Sequence, residues 1–398
     1  ASPDPAAAAG KAMVGLMREL KVAVIGGGFM CKAHVNGYRT ARYIFPELGV
    51  RAKLAAICVR DEEKARSLAR NYEFTRAYAD LDALLQDRSI DLYDVCVPAQ
   101  AHTQTVLKVL KAGKTVLCEK PLALHTEEAK RMLLTARSNG VSGFTGFNYR
   151  FFPAVMLARQ MLLKKELGTL RHMRVSYFQQ NGADENRRFD TLRYACTQDC
   201  GSLQEIGTHA IDQMRFLAGE MESISAMTKT FVPNRTDTRG QQRTVENEDM
   251  GAALVRFVSG ATGVLECSGA YWGRKNRLAW EIYCSEGSLF WNLEEPNYLG
   301  ICKKSDCVEA DGICKVNVTS GTYPYGNNWW PGGHNLGWEH GQVNMLAAVL
   351  QNISENALTQ PVATFQDGYR TAVIVEAIRA SSRTGRTVEL LPLFEDAQ

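Results

Sequence analysis

No uninterrupted apolar stretch of this 398-residue chain approaches the roughly 20 residues that span a bilayer, so a membrane helix is excluded. The chain also lacks any run of Lys or Arg, and its formal net charge is only +3. That leaves no polybasic arm for nucleic acid or anionic lipid, and a small molecule is the better partner. Cysteine is present but unorganised. Its 11 residues form no CxxC pair and none of the dense spacing of a secreted disulfide scaffold, which points to a reducing cytoplasm. Cys196 with Cys200, and Cys302 with Cys307 and Cys314, are the loose groups a soft metal could use; ordinary free thiols and no metal are the expectation. Residues 1–10 are small and apolar, yet they include Asp4 and two prolines and lack the basic start and long apolar centre of a secretory signal. Residues 1–19 read as a tail.

With 45% hydrophobic and 22% charged residues, the chain can bury the cores of two or three domains. Apolar runs at 21–25, 54–59, 92–97, 115–118 and 143–147 read as short buried strands. Helical periodicity separates them at 62–71, 81–86, 103–112 and 126–139. Such alternation predicts an α/β fold, a doubly wound parallel sheet over residues 20–150. Beyond Arg150 the pattern changes. A helix at 154–165 precedes strand-like runs at 171–179, 250–257, 263–268 and 278–284, and helices return at 342–353 and 368–383. Residues 151–398 are therefore predicted to form an α+β domain with a large, mostly antiparallel open sheet.

The sharpest local signal is a strand that empties into Gly26, Gly27 and Gly28 and then into a helix beginning Phe29-Met30-Cys31. Gly26 permits the tight turn, Gly28 lets the backbone approach a pyrophosphate, and the helix N-terminus supplies free N–H groups. Cys31 stands where the third Gly or Ala is usual, and is still small enough for close packing. At the end of the second strand, where NAD-selective units place a carboxylate on the ribose, the chain has Val59-Arg60-Asp61. Arg60 is free to stack on adenine or pair with a 2′-phosphate, while Asp61 can reach the ribose. These residues do not separate NAD from NADP, and a nicotinamide cofactor, NAD or NADP, is expected.

Further on stand Cys118-Glu119-Lys120-Pro121, Gly146-Phe147-Asn148-Tyr149-Arg150, and Gly207-Thr208-His209-Ala210-Ile211-Asp212. With the glycine loop and in this order, they make the chain resemble the Gfo/Idh/MocA oxidoreductases over roughly residues 21–390. The resemblance implies a Rossmann domain joined to a C-terminal domain whose sheet makes oligomer contacts, hence a homo-dimer or homo-tetramer. It also implies oxidation or reduction of a carbinol on a sugar, cyclitol or glycoside. By that likeness Pro98, Ala99, His102, Glu119 and Asn148 lie along the cofactor with Phe29 and Met30, and Lys120 touches both nicotinamide and substrate. Tyr149 and Arg150 would stand beside the pocket.

Glu205 and His209 lie four residues apart and share one face if helical, so they can converge on one ligand. Oxidising a secondary alcohol needs a base at the departing hydroxyl proton. The resemblance, whose motif has an acid four residues before a His, implies His209 as the acid/base residue, Lys120 as its partner, and Glu205 as the group that orients substrate. Asp212 reads as a structural partner. Arg274 and Lys275 could hold hydroxyls, and Trp330 with His334, in a loop of aromatic and polar residues, suits the C–H face of a sugar. The segments Gly273 to Asn276 and Trp329 to His340 resemble family members that oxidise intact pyranosides at the C3 hydroxyl. Two other functions fit the same motifs: hydrolysis of a glycoside through transient C3 oxidation, and nucleotide binding without catalysis.

Overall fold

In strand β1 (Arg18–Ile25) every residue from Ala23 to Ile25 is buried, as a parallel strand covered by helices on both faces requires. The computed structural model describes residues 17–191, 199–304 and 312–395. Around β1 lie β2 (Val50–Cys58), β3 (Arg76–Tyr78), β4 (Leu92–Val95), β5 (Thr115–Cys118) and β6 (Gly143–Thr145), in the order β3-β2-β1-β4-β5-β6. All of these pairings are parallel. The strand order reverses between β1 and β4, so the crevice at their carboxyl ends is the natural ligand site of an open α/β sheet. Helix α1 (Phe29–Ile44) leaves that crevice, followed by α2 (Glu62–Asn71), α3 (Leu81–Leu85), α4 (His102–Lys111) and α5 (Thr126–Ser138).

The second half carries α6 (Pro153–Leu163), β7 (Leu170–Phe178), α7 (Thr208–Ala218) and β8 (Met221–Lys229), then a small hairpin of β9 (Asn234–Thr236) and β10 (Gln242–Thr244). After it come β11 (Met250–Phe257), β12 (Thr262–Ser268), β13 (Arg277–Cys284), β14 (Gly287–Asn292), β15 (Tyr298–Lys303) and β16 (Cys314–Asn317). With β17 (Val388–Glu389) they form a nine-stranded sheet in the order β16-β15-β14-β13-β7-β12-β11-β8-β17. Its pairings are antiparallel except for the parallel β7–β12 pair. Burial alternates cleanly along β11: Ala253, Val255 and Phe257 face the core, while Leu254 and Arg256 face out, the signature of a sheet covered on one side only.

The predicted segments fall on the observed elements within a few residues, and the strands at 115–118 and 250–257 coincide with β5 and β11. Strands β3, β8 to β10 and β14 to β17 were not foreseen; β3 spans three residues and β8 mixes polar and apolar residues on both faces. Of the two loose cysteine groups, three members lie among the described residues. Cys302 is half-buried on β15, Cys314 is exposed on the paired strand β16, and Cys200 is buried with its Sγ donating to Glu205 Oε1 at 3.4 Å; Cys196 and Cys307 lie outside the described residues. Among the described residues no helix is long and apolar enough to cross a membrane.

Near its end the chain returns to the first sheet. Helix α8 (Trp338–Glu355) packs on α1, so that Met345, Leu346, Val349 and Leu350 share a core with Val22, Val24, Val35 and Tyr38. The following extended segment edges β6: the Thr145 N–H donates to Ala363 O at 2.8 Å, and Phe144 bridges Thr364. Helix α9 (Phe365–Thr384) begins there behind a capping box of Thr364 and Asp367.

Candidate active site

A single cleft of about 1470 Å³ runs from the glycine loop along the carboxyl edge of the first sheet to the second. That exceeds the ~300–1,000 Å³ typical of a one-ligand site and leaves room for a dinucleotide and a substrate. At its near end Gly26 has φ +118°, and a Cβ there would sit 2.5 Å from Cys96 O. No L-side chain is accommodated. A Cβ on Gly28 would meet nothing within 4 Å, so this residue faces open space at the start of α1, with no side-chain cap on the helix N-H groups. That is the cradle a pyrophosphate needs. Cys31 is fully buried, filling the place of the third glycine between helix and sheet.

Phe29, Met30, Val59, Arg60, Asp61 and Pro98 line the cleft. The Asp61 carboxylate also accepts from the Lys64 N–H at 2.8 Å, capping α2. Ala99 and His102, expected along the cofactor, are buried behind this wall and do not line it. Ala99 packs on Leu124 and Cys200. The two His102 ring nitrogens lie 2.8 and 3.0 Å from Pro121 O and Val97 O, so this imidazole braces the two loops that form the wall. Gln100, Ala101 and Gln104 face the cleft in their stead.

At the far end the residues named from three separate motifs meet. Lys120 follows β5, and its Nζ donates to Glu205 O at 2.8 Å. Glu205 belongs to a π-helical turn, Leu203–Gly207, that runs directly into α7, and His209 is on the first turn of α7. Lys120, Glu205 and His209 all line the cleft. Burial, and then the Lys120 charge, hold the His209 imidazole well below its ordinary range; it is a neutral ring at physiological pH, free to accept a proton. The Tyr149 ring packs 4.4 Å from it, centroid to centroid.

Glu119 also reaches the cleft, and is held from behind. Its Oε1 lies 3.0 Å from His34 Nε2, while His34 Nδ1 lies 2.7 Å from Asp94 Oδ2. Burial disfavours a charged ring, but the Asp94 carboxylate outweighs it and holds His34 well above the usual imidazole range. The imidazolium donates to both carboxylates. Beside Glu119, the buried Asn148 lines the cleft, and its Nδ2 has no hydrogen-bond partner. A buried amide donor left unpaired costs free energy. The open Gly28 cradle and this orphan donor together fit a dinucleotide running from phosphate loop to carboxamide.

Several residues named from the sequence lie elsewhere. Arg150, adjacent to Tyr149, turns away from the cleft: it is buried, its Nε donates to both Asp212 oxygens at 3.1 and 2.9 Å, and Asp367 lies 3.4 Å from its guanidinium. Burial opposes this charge, but the two carboxylates raise its pKa further. Asp212 is thus the partner of Arg150 and not of His209. Arg274 projects from a turn set by Gly273 (φ +85°) and pairs with Glu294 at 3.3 Å; Lys275 is exposed beside it. Long charged side chains at such a turn reach water. Trp330 is half-exposed against Trp329, which itself packs on Phe45 and His340, and His334 Nδ1 bonds Pro331 O. None of these four lines the cleft. The cleft instead takes Tyr177, Gln179, Asn276 and Trp338. One signal for Tyr177 was available: strand alternation places it with Met173 and Val175 on the buried face, where a hydroxyl needs a partner.

A parallel nucleotide-binding sheet whose glycine loop opens into a cleft ending in a lysine, a carboxylate and a neutral imidazole defines a nicotinamide-dependent oxidoreductase. Comparison with known proteins gives the family. Residues 20–147 match the model of an oxidoreductase family with an NAD-binding Rossmann fold, and residues 155–290 match the GFO/IDH/MocA C-terminal domain. The chain belongs to the Gfo/Idh/MocA oxidoreductase family, and its first domain is an NAD-binding Rossmann fold. It is 32% identical to levoglucosan dehydrogenase of Pseudarthrobacter phenanthrenivorans over 92% of this chain and 97% of that one. It is 26% identical to D-apiose dehydrogenase of Paraburkholderia graminis over 96% and 92% of the two chains. A solved levoglucosan dehydrogenase in complex with NADH and levoglucosan superposes with a TM-score of 0.88 at 30% identity, covering 94% and 99%.

Proposed function

We propose that this protein is an NAD-dependent dehydrogenase that oxidises a ring carbinol of a sugar or glycoside, with cyclitols the other ring class the motifs admit. The observation that carries the reading is the convergence of Lys120, Glu205 and a neutral His209 at the end of a cleft long enough for the cofactor. NAD, when bound, supplies the hydride acceptor. The chain's residues then do the rest. His209 accepts the hydroxyl proton, the Lys120 ammonium stabilises negative charge on the carbinol oxygen, and the Glu205 carboxylate orients a neighbouring hydroxyl. In the reverse direction the same ammonium polarises a carbonyl. Phe29 and Met30 flank the phosphate loop, Arg60 and Asp61 lie at the adenosine end, and Glu119 and Asn148 face the carboxamide end. Names of the relatives, levoglucosan dehydrogenase and D-apiose dehydrogenase, support a carbohydrate substrate.

The outward face of the second sheet bears Met227 and Leu254 on adjacent strands, both more than 60% exposed (63% and 65%). An exposed apolar face of this kind supports assembly as a homo-dimer or homo-tetramer. The many free thiols support a cytoplasmic location. Spectrophotometric assay with NAD and a panel of pyranosides tests the reading: NADH formed in step with oxidised product and an intact glycosidic bond is the expected result. Release of the aglycone without NADH, or no turnover of any carbohydrate or cyclitol, overturns it.

A further inference from the structure

The wall beside His209 is a chain of hydrogen bonds in which the direction of each proton can be followed. It begins at Trp338, whose indole nitrogen can only donate and does so to the Tyr149 hydroxyl at 3.3 Å. The Tyr149 and Tyr177 hydroxyls are 3.1 Å apart, and Tyr177 donates to Asn276 Oδ1 at 2.7 Å. Tyr177 has one proton, so its oxygen accepts from Tyr149. A second donor reaches the same Oδ1, Gln179 Nε2 at 2.8 Å, and Gln179 is itself oriented through its Oε1 by Asn181. Every proton in the chain therefore runs toward Asn276 Oδ1. Among the described residues nothing accepts from the other end of that amide, Nδ2, while Asn276 lines the cleft.

The consequence is chemical. This wall offers a substrate two amide N–H bonds from Asn276, while both phenol oxygens already accept one hydrogen bond and have committed their protons. An oxygen that only accepts is satisfied by Asn276; a hydroxyl also brings a proton, and Asn276 Oδ1 already accepts twice and each phenol oxygen once, which leaves it only the second lone pair of Gln179 Oε1, on the far side of the Gln179 amide from Asn276. We propose that Asn276 is the specificity-determining residue of the substrate site, donating to an acceptor-only oxygen, the ring or glycosidic oxygen of a pyranoside. It thereby favours sugars over cyclitols of the same size, which carry a CH–OH in place of the ring oxygen. This rests on the reading of the site as a ring-carbinol dehydrogenase.

The test compares kcat/KM of the wild-type protein and of Asn276→Asp, with NAD, on methyl hexopyranosides and on the inositols of matching stereochemistry. Aspartate keeps the size and the acceptor for Tyr177 and Gln179 but has no N–H to give. The wild type is expected to prefer pyranosides by 10-fold or more. The variant is expected to lose on the order of 10²-fold on pyranosides, chiefly through KM, so that the ratio between the two ring types falls to near one or inverts. Titration of NAD against the variant, followed by tryptophan fluorescence, shows whether the nucleotide half is intact. A pyranoside-to-inositol ratio unchanged by the substitution overturns the proposal, whether both rates fall or neither does. A wild-type protein that reduces no NAD with either ring type overturns the dehydrogenase reading and this proposal with it, and that failure is visible before any variant is made.

Discussion

The two ends of the cleft are built in opposite ways. The nucleotide end is made from contiguous sequence: Gly26 to Met30 form one turn and Val59 to Asp61 another. At the substrate end Tyr149, Tyr177, Gln179, Asn276 and Trp338 come from four places spread over nearly 190 positions, and each reaches its neighbour through a side-chain hydrogen bond. A contiguous loop binds through backbone N–H groups and tolerates almost any side chain except where a Cβ collides. A dispersed wall binds through side-chain polarity, so a single substitution can change what is recognised while leaving the fold alone. Lys120 sits at the seam between them.

If that division holds, Lys120→Ala should cut turnover by about 10³-fold or more while NAD binds within a modest factor; steady-state NADH formation beside nucleotide titration measures both, and undiminished turnover would refute the role given to this lysine. Arg150 belongs to neither end. Its replacement by Leu leaves Asp212 buried without its partner, and should destabilise the protein by about 3–5 kcal/mol, read by denaturant titration. KM for NAD and sugar should move little in the folded fraction, and a KM effect that dominates the stability effect would return Arg150 to the pocket. Gly26→Ala puts a Cβ against Cys96 O at a positive φ, at a cost of about 1–3 kcal/mol. Isothermal titration should find NAD weakened by roughly tenfold or more, with the preference among sugars retained.

The smallest effect is a displacement along the pH axis. His209 is held below the ordinary imidazole range, so its basic form persists as pH falls through 6.5 and is lost only when pH falls through the lowered value. The acid limb of kcat/KM should therefore lie well below pH 6.5. A limb centred at or above 6.5 would mean that burial and Lys120 do not govern this ring.

The same contrast explains what was legible in the sequence. The alternation that implies a parallel sheet, the glycine loop, and the segments carrying Lys120, Glu205 and His209 are short-range patterns, and local sequence carries them. Trp338 and Asn276 stand in the segments Trp329 to His340 and Gly273 to Asn276 that the resemblance singles out, but their place in the cleft was not legible, because it depends on how α8 returns to the first sheet and how the turn before β13 is aimed. In both cases the residues that stand out in the sequence are close neighbours. Arg274 and Lys275 precede Asn276 by one or two residues and are carried outward by their turn; Trp330 stands eight residues before the tryptophan that lines the cleft. Arg150 misled for another reason. A buried guanidinium beside a pocket residue looks the same in sequence whether it meets a substrate or two carboxylates 62 and 217 positions away.

Helix α8 also limits how this protein can be taken apart. Its Met345, Leu346, Val349 and Leu350 are the lid on Val35 and Tyr38 of α1, so a fragment cut after residue 150 would carry the whole glycine loop and a bare apolar strip on the helix behind it. Such a fragment would self-associate before it bound nucleotide. The nucleotide half is therefore not a cassette to be grafted onto a foreign substrate half: any chimera must bring along the helix that starts at Trp338, and with it the first hydrogen bond of the wall that reads the sugar.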